Sequence, residues 1–213
     1  MVAPEDSDAP RRRVVITGVG VVCSLGRTTG DLWQAIEDGR SGIAPITRFD
    51  ASGFRTRIAA EVPDADQRDE RFDEEYWGQL DLRSRFAVSA ALSAVQGAGL
   101  TFSPQNRGQV AVIIASERPS EDLTLEGARL IAAGDIDAAA ELLAADARPH
   151  APADRVASLL GVTGPVLQIE NRSPGGLDAI IEAAAMIRRG DALVAVAGGA
   201  EAPITPLTLA AFQ

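Results

Sequence analysis

The chain has 213 residues, 46% of them apolar, and a formal net charge of −10. That length suffices for one domain with a substantial core, and the acidic balance argues against non-specific binding to nucleic acid or an anionic membrane, since both need a basic face. One cysteine, Cys23, rules out an intrachain disulfide framework and fits a reducing cytoplasm, and one histidine, His150, rules out any site needing two.

Residues 1–12 read as a disordered tail without the apolar stretch of a secretory signal, and no apolar run approaches the ~18 residues of a membrane span. A single domain is expected over 13–213. Arg13 to Cys23 reads as an apolar strand interrupted by Gly18 and Gly20. Gly-x-Gly after a strand can cradle a dinucleotide phosphate. Here the third glycine of that fingerprint falls on Cys23, and no acidic residue ends a second strand about 20 residues on. No cofactor is expected, and the glycines are read as letting the backbone bend between packed layers. Thr29 or Asp31 can cap the next helix, which turns Leu32, Trp33 and Ile36 inward and ends near Gly39. A short strand is expected over Arg57 to Val62, then a solvated acidic stretch, Asp64 to Glu75.

Ser84 to Ala98 has the spacing of an amphipathic helix with Phe86, Val88, Ala91, Leu92 and Val95 inward. Val110 to Ala115 is a buried strand. Helices follow over Glu121–Ala133, Ile136–Ala145 and Asp154–Leu160, the last two separated by Pro149-His150-Ala151-Pro152. Between two prolines, His150 reads as a loop or interface residue. Val166 to Ile169 is a short strand after Gly164-Pro165. Ser173-Pro174-Gly175-Gly176 can open a helix, with Ser173 as N-cap and Pro174 at the first helical position. Leu177, Ile180, Ile181, Ala184 and Ile187 then share one face, and Arg188, Arg189 and Gly190 close the helix. Leu193 to Ala197 is expected as a central strand buried on both sides, and Thr205 to Gln213 as another helix. Strands alternating with helices predict an α/β domain, a parallel-rich mixed sheet packed by helices.

The segment from Gly164 to Glu201 resembles the nucleophile region of the β-ketoacyl-ACP synthases. In that family a strand leads to a Thr-Ala-Cys-x-Ser-Gly turn, a helix ending near Arg-x-Gly-Asp-Ala, and a strand ending Ala-Gly-Gly-Ala-Glu. The second half of the pattern is present as Arg189-Gly190-Asp191-Ala192 and Ala197-Gly198-Gly199-Ala200-Glu201. The first half is changed. Counting back from Gly190 without gaps puts Ser173 at the cysteine position, with Asn171-Arg172 for Thr-Ala and Pro174-Gly175-Gly176 for x-Ser-Gly. Val14 to Gly20 with Ser24-Leu25-Gly26, Gly39 to Ile43, Arg48-Phe49-Asp50, Arg85-Phe86 and Gly99-Leu100 also match, and the likeness is weakest from Ser116 to Pro152. The resemblance implies the first half of a thiolase-like fold.

It also implies a chemistry that these residues do not complete. The family uses a cysteine, two histidines and a lysine, the last three from the second half of the fold. A serine nucleophile at Ser173 needs a base, and nothing in the sequence supplies one. The expected function is that of a non-catalytic subunit resembling the chain-length factors of type II polyketide systems. Such a subunit forms a heterodimer with an active ketosynthase and meets the acyl carrier protein and its acyl chain only indirectly. By the same resemblance, the residues limiting chain length fall on the helix after Val110 to Ala115: Glu121, Thr124 and Ala128, with Leu123 and Leu125 as neighbours. Two alternatives stay open, a serine-dependent acyl transferase or malonyl-ACP decarboxylase using Ser173, and a fragment of a ketosynthase.

Overall fold

The computed structural model describes residues 12–144 and 146–212. Its spine is strand β3 (Val110–Ala115), every residue of which is buried. β3 pairs in parallel with β4 (Val166–Ile169) and β5 (Val194–Gly199) in the order β4-β3-β5. Successive side chains of a strand point to opposite faces. Val110, Val112 and Ile114 therefore pack against α3 (Leu82–Gly97) and α6 (Ala151–Leu160), through Val88, Ala91 and Val156. Ala111, Ile113 and Ala115 pack on the other side against α7 (Gly175–Arg189), through Ala179, Ala183 and Met186. The result is two helical layers around a parallel sheet, the arrangement that alternating strands and helices predict.

The remaining elements lie around this sandwich. α1 (Thr29–Glu37) precedes a two-residue antiparallel pair, β1 (Ala44–Pro45) and β2 (Ile58–Ala59). α2 (Glu74–Gly78) carries Tyr76 and Trp77 onto the Phe72 ring. α4 (Glu121–Ala132) and α5 (Ile136–Ala144) form a helical hairpin. Gly127 makes its close packing possible, since a Cβ there would lie 2.7 Å from Leu143 Cδ2. α8 (Pro206–Ala211) ends the described chain.

Several expectations are corrected by this packing. Arg13 to Cys23 is extended but is not a strand of the sheet; among the described residues its one ladder contact is the bridge Cys23–Gly26. The segment lies on α3, where a Cβ at Gly18 would stand 2.0 Å from the Ala94 carbonyl and one at Gly20 1.9 Å from that of Ala90. Close approach to a helix, rather than bending, is what these glycines permit. Val15, Ile16 and Val19 face outward, 60–77% exposed. α7 buries the face opposite to the one expected. Its small residues sit on the sheet, while Leu177 (61%), Ile180 and Ile181 are exposed and Ala184 and Ile187 only half-buried. β5 is half-buried rather than enclosed, because only one of its edges is paired. On α1, Ala35 is buried while Trp33 and Ile36 are exposed and Leu32 is half-buried, and the cap is Thr28, whose hydroxyl accepts the Asp31 N–H. On α3, Val88, Ala91 and Val95 are buried as expected, with Phe86 and Leu92 half-buried. The tail, apart from Arg12, and the ends of the expected helices at Ala145 and Gln213 lie outside the described residues.

Candidate functional site

The turn between β4 and α7 holds the candidate nucleophile. Gly175 lets α7 begin directly over the end of β3, since a Cβ there would meet Ala115 Cβ at 3.0 Å, and Gly176 follows beside Gly199 of β5. Arg172 takes a left-handed backbone conformation, φ 48, which a non-glycine residue adopts only when its surroundings impose it. Asn171 Nδ2 donates to Asp178 Oδ2 at 2.5 Å, tying the turn to the first turn of α7. Ser173 does not cap the helix. The N-cap is Pro174, without a side-chain hydrogen bond, and Ser173 is exposed. Its hydroxyl has no hydrogen-bond partner among the described residues.

No base faces it. His150 is the N-cap residue of α6, and its Nε2 is 3.5 Å from Asp154 Oδ2. α6 and α7 pack on opposite faces of the sheet, so the imidazole and the Ser173 hydroxyl belong to different layers. Among the described residues no group of His, Cys, Asp and Glu is arranged to hold a metal ion. No helix among them is long and apolar enough to cross a membrane.

Beside the Ser173 turn lies a cleft of ≈ 510 Å³, lined by Glu117–Pro119, Glu121, Thr124, Glu170–Arg172 and Leu207. It brings the first turns of α4 to the nucleophile turn, two regions far apart in sequence. Of the residues expected to limit chain length, Glu121 and Thr124 line this cleft. Ala128 continues the same face one turn on and is exposed, Leu125 is 37% exposed, and Leu123 is half-buried beside a second, smaller cleft. Thr124 Oγ1 donates to the Ser120 carbonyl at 2.6 Å.

The root of the α4–α5 hairpin is fixed by a residue that sequence reading passed over. Arg83 is 3% exposed on α3. Its Nε donates to Asp81 Oδ2 at 2.7 Å, its Nη1 to Ser116 Oγ at 3.1 Å and to the Arg118 carbonyl, and its Nη2 to the carbonyls of Asp146 (3.1 Å) and Arg148 (3.3 Å). One guanidinium thus clamps the chain where it enters the hairpin and where it leaves. Asp146, wholly buried, accepts the Asp81 N–H at 2.9 Å and Arg155 Nε at 2.7 Å. Its signal in the sequence was faint: Arg83 falls one residue before the helix expected from Ser84, and only the helix starting at Leu82 carries it to the buried side, where a guanidinium needs partners. Next to this root, hydrogen bonds from Thr205, Thr208 and Arg118 outweigh burial and lower the Glu121 pKa. Burial pushes the Glu201 carboxyl up, against the Glu117 N–H that it accepts.

The family described as "Beta-ketoacyl synthase, N-terminal domain" matches residues 11–213. The chain belongs to the β-ketoacyl synthase family. It is 37% identical over 210 residues to the 3-oxoacyl-[acyl-carrier-protein] synthase 2 of Coxiella burnetii, covering 95% of this chain and 49% of that protein. It is 36% identical over 209 residues to a putative polyketide beta-ketoacyl synthase 1 of Streptomyces cyaneus, again over 95% of this chain and 49% of the relative. Among solved structures, the ishigamide ketosynthase/chain length factor is similar with a TM-score of 0.81 at 29% identity, over 95% of this chain and 50% of that one. The chain therefore has half of a thiolase-like fold, and it spans about half the length of the curated relatives it matches.

Proposed function

We propose that this chain is a non-catalytic ketosynthase-like subunit, a chain-length factor, that pairs in the cytoplasm with an active β-ketoacyl synthase and shapes the acyl tunnel of its partner. The observation that carries this reading is the turn at Ser173. In gapless register with the family motif, the thiolate of the condensing reaction is replaced by an exposed hydroxyl that no base among the described residues bonds. A serine hydroxyl without a base is a weak nucleophile, so the acyl chain and its carrier protein are handled by the partner. The exposed apolar side chains of α7 and of residues 15–19 support the pairing, since surfaces of that kind are covered in a working assembly. A solved relative described as a ketosynthase/chain length factor is consistent with this role. A second reading, a piece of a longer synthase, is favoured by the chain's spanning about half of its relatives.

In the first reading α4 forms the floor of the tunnel, with Glu121, Thr124 and Ala128 on the gating face and Leu123 and Leu125 as neighbours. The logic is steric. A growing chain gains ~0.8 kcal/mol per buried CH₂, and pushing it into a packed wall costs about 1–3 kcal/mol, enough to stop extension within a unit or two.

Co-expression with a ketosynthase encoded beside it tests the proposal. The expected result is co-elution as a heterodimer in size-exclusion chromatography, with condensing activity that survives Ser173→Ala. Malonyl-ACP decarboxylation by the chain alone that disappears in Ser173→Ala would overturn it. Thr124→Trp and Ala128→Trp are expected to shorten the products of the pair, read by mass spectrometry.

A further inference from the structure

Glu121 stands first in α4 and lines the cleft, and its carboxylate is bonded to α8. It accepts hydrogen bonds from Thr208 Oγ1 at 2.7 Å, from Arg118 Nη1 at 2.9 Å and from the Thr205 hydroxyl. Thr205 is the N-cap of α8, and its Oγ1 accepts the Thr208 N–H at 3.1 Å. Both threonines are buried, at 3% and 7% exposure, and the Glu121 side chain is 10% exposed. The Arg118 guanidinium also lies 5.7 Å from the centre of the Phe212 ring, beyond the far end of α8.

Among the described residues little else holds α8: Thr208 is the only one of its six residues buried, and it packs extensively against no other described helix or strand. Charge-assisted hydrogen bonds in a desolvated site are the stronger kind, so this carboxylate is the main tether of the helix. Between the two threonines α8 carries Leu207, which is 49% exposed and lines the same cleft as Thr124 and Arg172.

We propose that Glu121 is a positioning residue: its carboxylate latches α8 onto α4, holds Leu207 at the wall of the cleft, and through Leu207 sets the length of acyl chain that the cleft admits. The inference rests on the reading of α4 as the tunnel floor and adds to it a second wall, whose place is set by a latch and not by direct contact between Glu121 and the acyl chain.

The test uses the reconstituted pair with Glu121→Ala, Thr208→Val and Leu207→Ala, followed by hydrogen exchange and by product length. Thr208→Val removes one latch donor while leaving the Thr205 cap, and β3 amides report whether each variant remains folded. In Glu121→Ala and Thr208→Val, exchange of the α8 amides is expected to rise about tenfold or more with β3 unchanged, and products to lengthen or broaden by about one extender unit. Leu207→Ala is expected to lengthen products with α8 still protected. Unchanged α8 exchange in both latch variants refutes the latch. If α8 is released but product length stays that of the wild type, while Thr124→Trp and Ala128→Trp still shorten it, the positioning role is refuted and the floor reading stands. If the tryptophan variants also leave the length unchanged, the floor reading falls and this proposal with it.

Discussion

Replacing Arg83 with methionine keeps most of the side-chain volume and removes every donor of the clamp at the hairpin root. The carboxylate of Asp81, 3% exposed, loses its 2.7 Å partner and keeps only the Ser84 N–H at 2.8 Å. The carbonyls of Arg118, Asp146 and Arg148 and the Ser116 hydroxyl lose a donor at the same time. Breaking a buried pair by removing one partner leaves an uncompensated charge and destabilises by about 3–5 kcal/mol, a large share of the roughly 5–15 kcal/mol that holds a domain folded. Urea unfolding of the reconstituted pair reads this as a fall in midpoint at unchanged slope. Arg83→Lys is expected to recover only part of the loss, because one ammonium cannot reach both ends of the hairpin. Adding Asp81→Asn to Arg83→Met should restore some stability, since it removes the stranded charge. A loss below about 1 kcal/mol for Arg83→Met, or a double variant worse than the sum of the singles, would refute the clamp as described.

Gly20→Ala places a Cβ against the Ala90 carbonyl of α3, and about 1–3 kcal/mol of overpacking is expected to lift residues 14–22 from the helix, seen as faster proteolysis of that segment with α3 still formed. Asp69 is held down to about 2, chiefly by its hydrogen bonds from Arg71 and also by that from Ser89. A depressed folded pKa gives stability that is complete above the unfolded value near 3.8 and is lost as pH falls from there toward 2. Asp69→Asn should flatten that acid limb by on the order of 1 kcal/mol, and an unaltered pH profile would count against the assignment.

The sequence alone settled the identity and order of the principal elements of the sandwich. β3 carries six apolar residues in a row and was read as a buried strand, which it is. Gly190, read as the end of α7, has the left-handed φ of 88 that stops a helix. Arg189-Gly190-Asp191 and Ala197 to Glu201 carried the family; at Gly190 the mark is a backbone turn that favours glycine. Which face of a helix meets the sheet was not legible in the same way. In α7 the Leu177–Ile180–Ile181 stripe is the more apolar, yet the buried face is Gly175, Ala179, Ala183 and Met186, whose three small residues let the helix approach the sheet closely. Periodicity reports that a face is apolar, and says nothing of what covers it. The same holds for residues 13–23, whose strand-like pattern finds α3 beneath it and no ladder beside it. The clamp at Arg83 and the latch at Glu121 join residues 63 and 84 positions apart. No local spacing encodes such pairs. Only the tertiary fold, by bringing the hairpin root and the two helix N-termini together in a dry place, made those charges into partners.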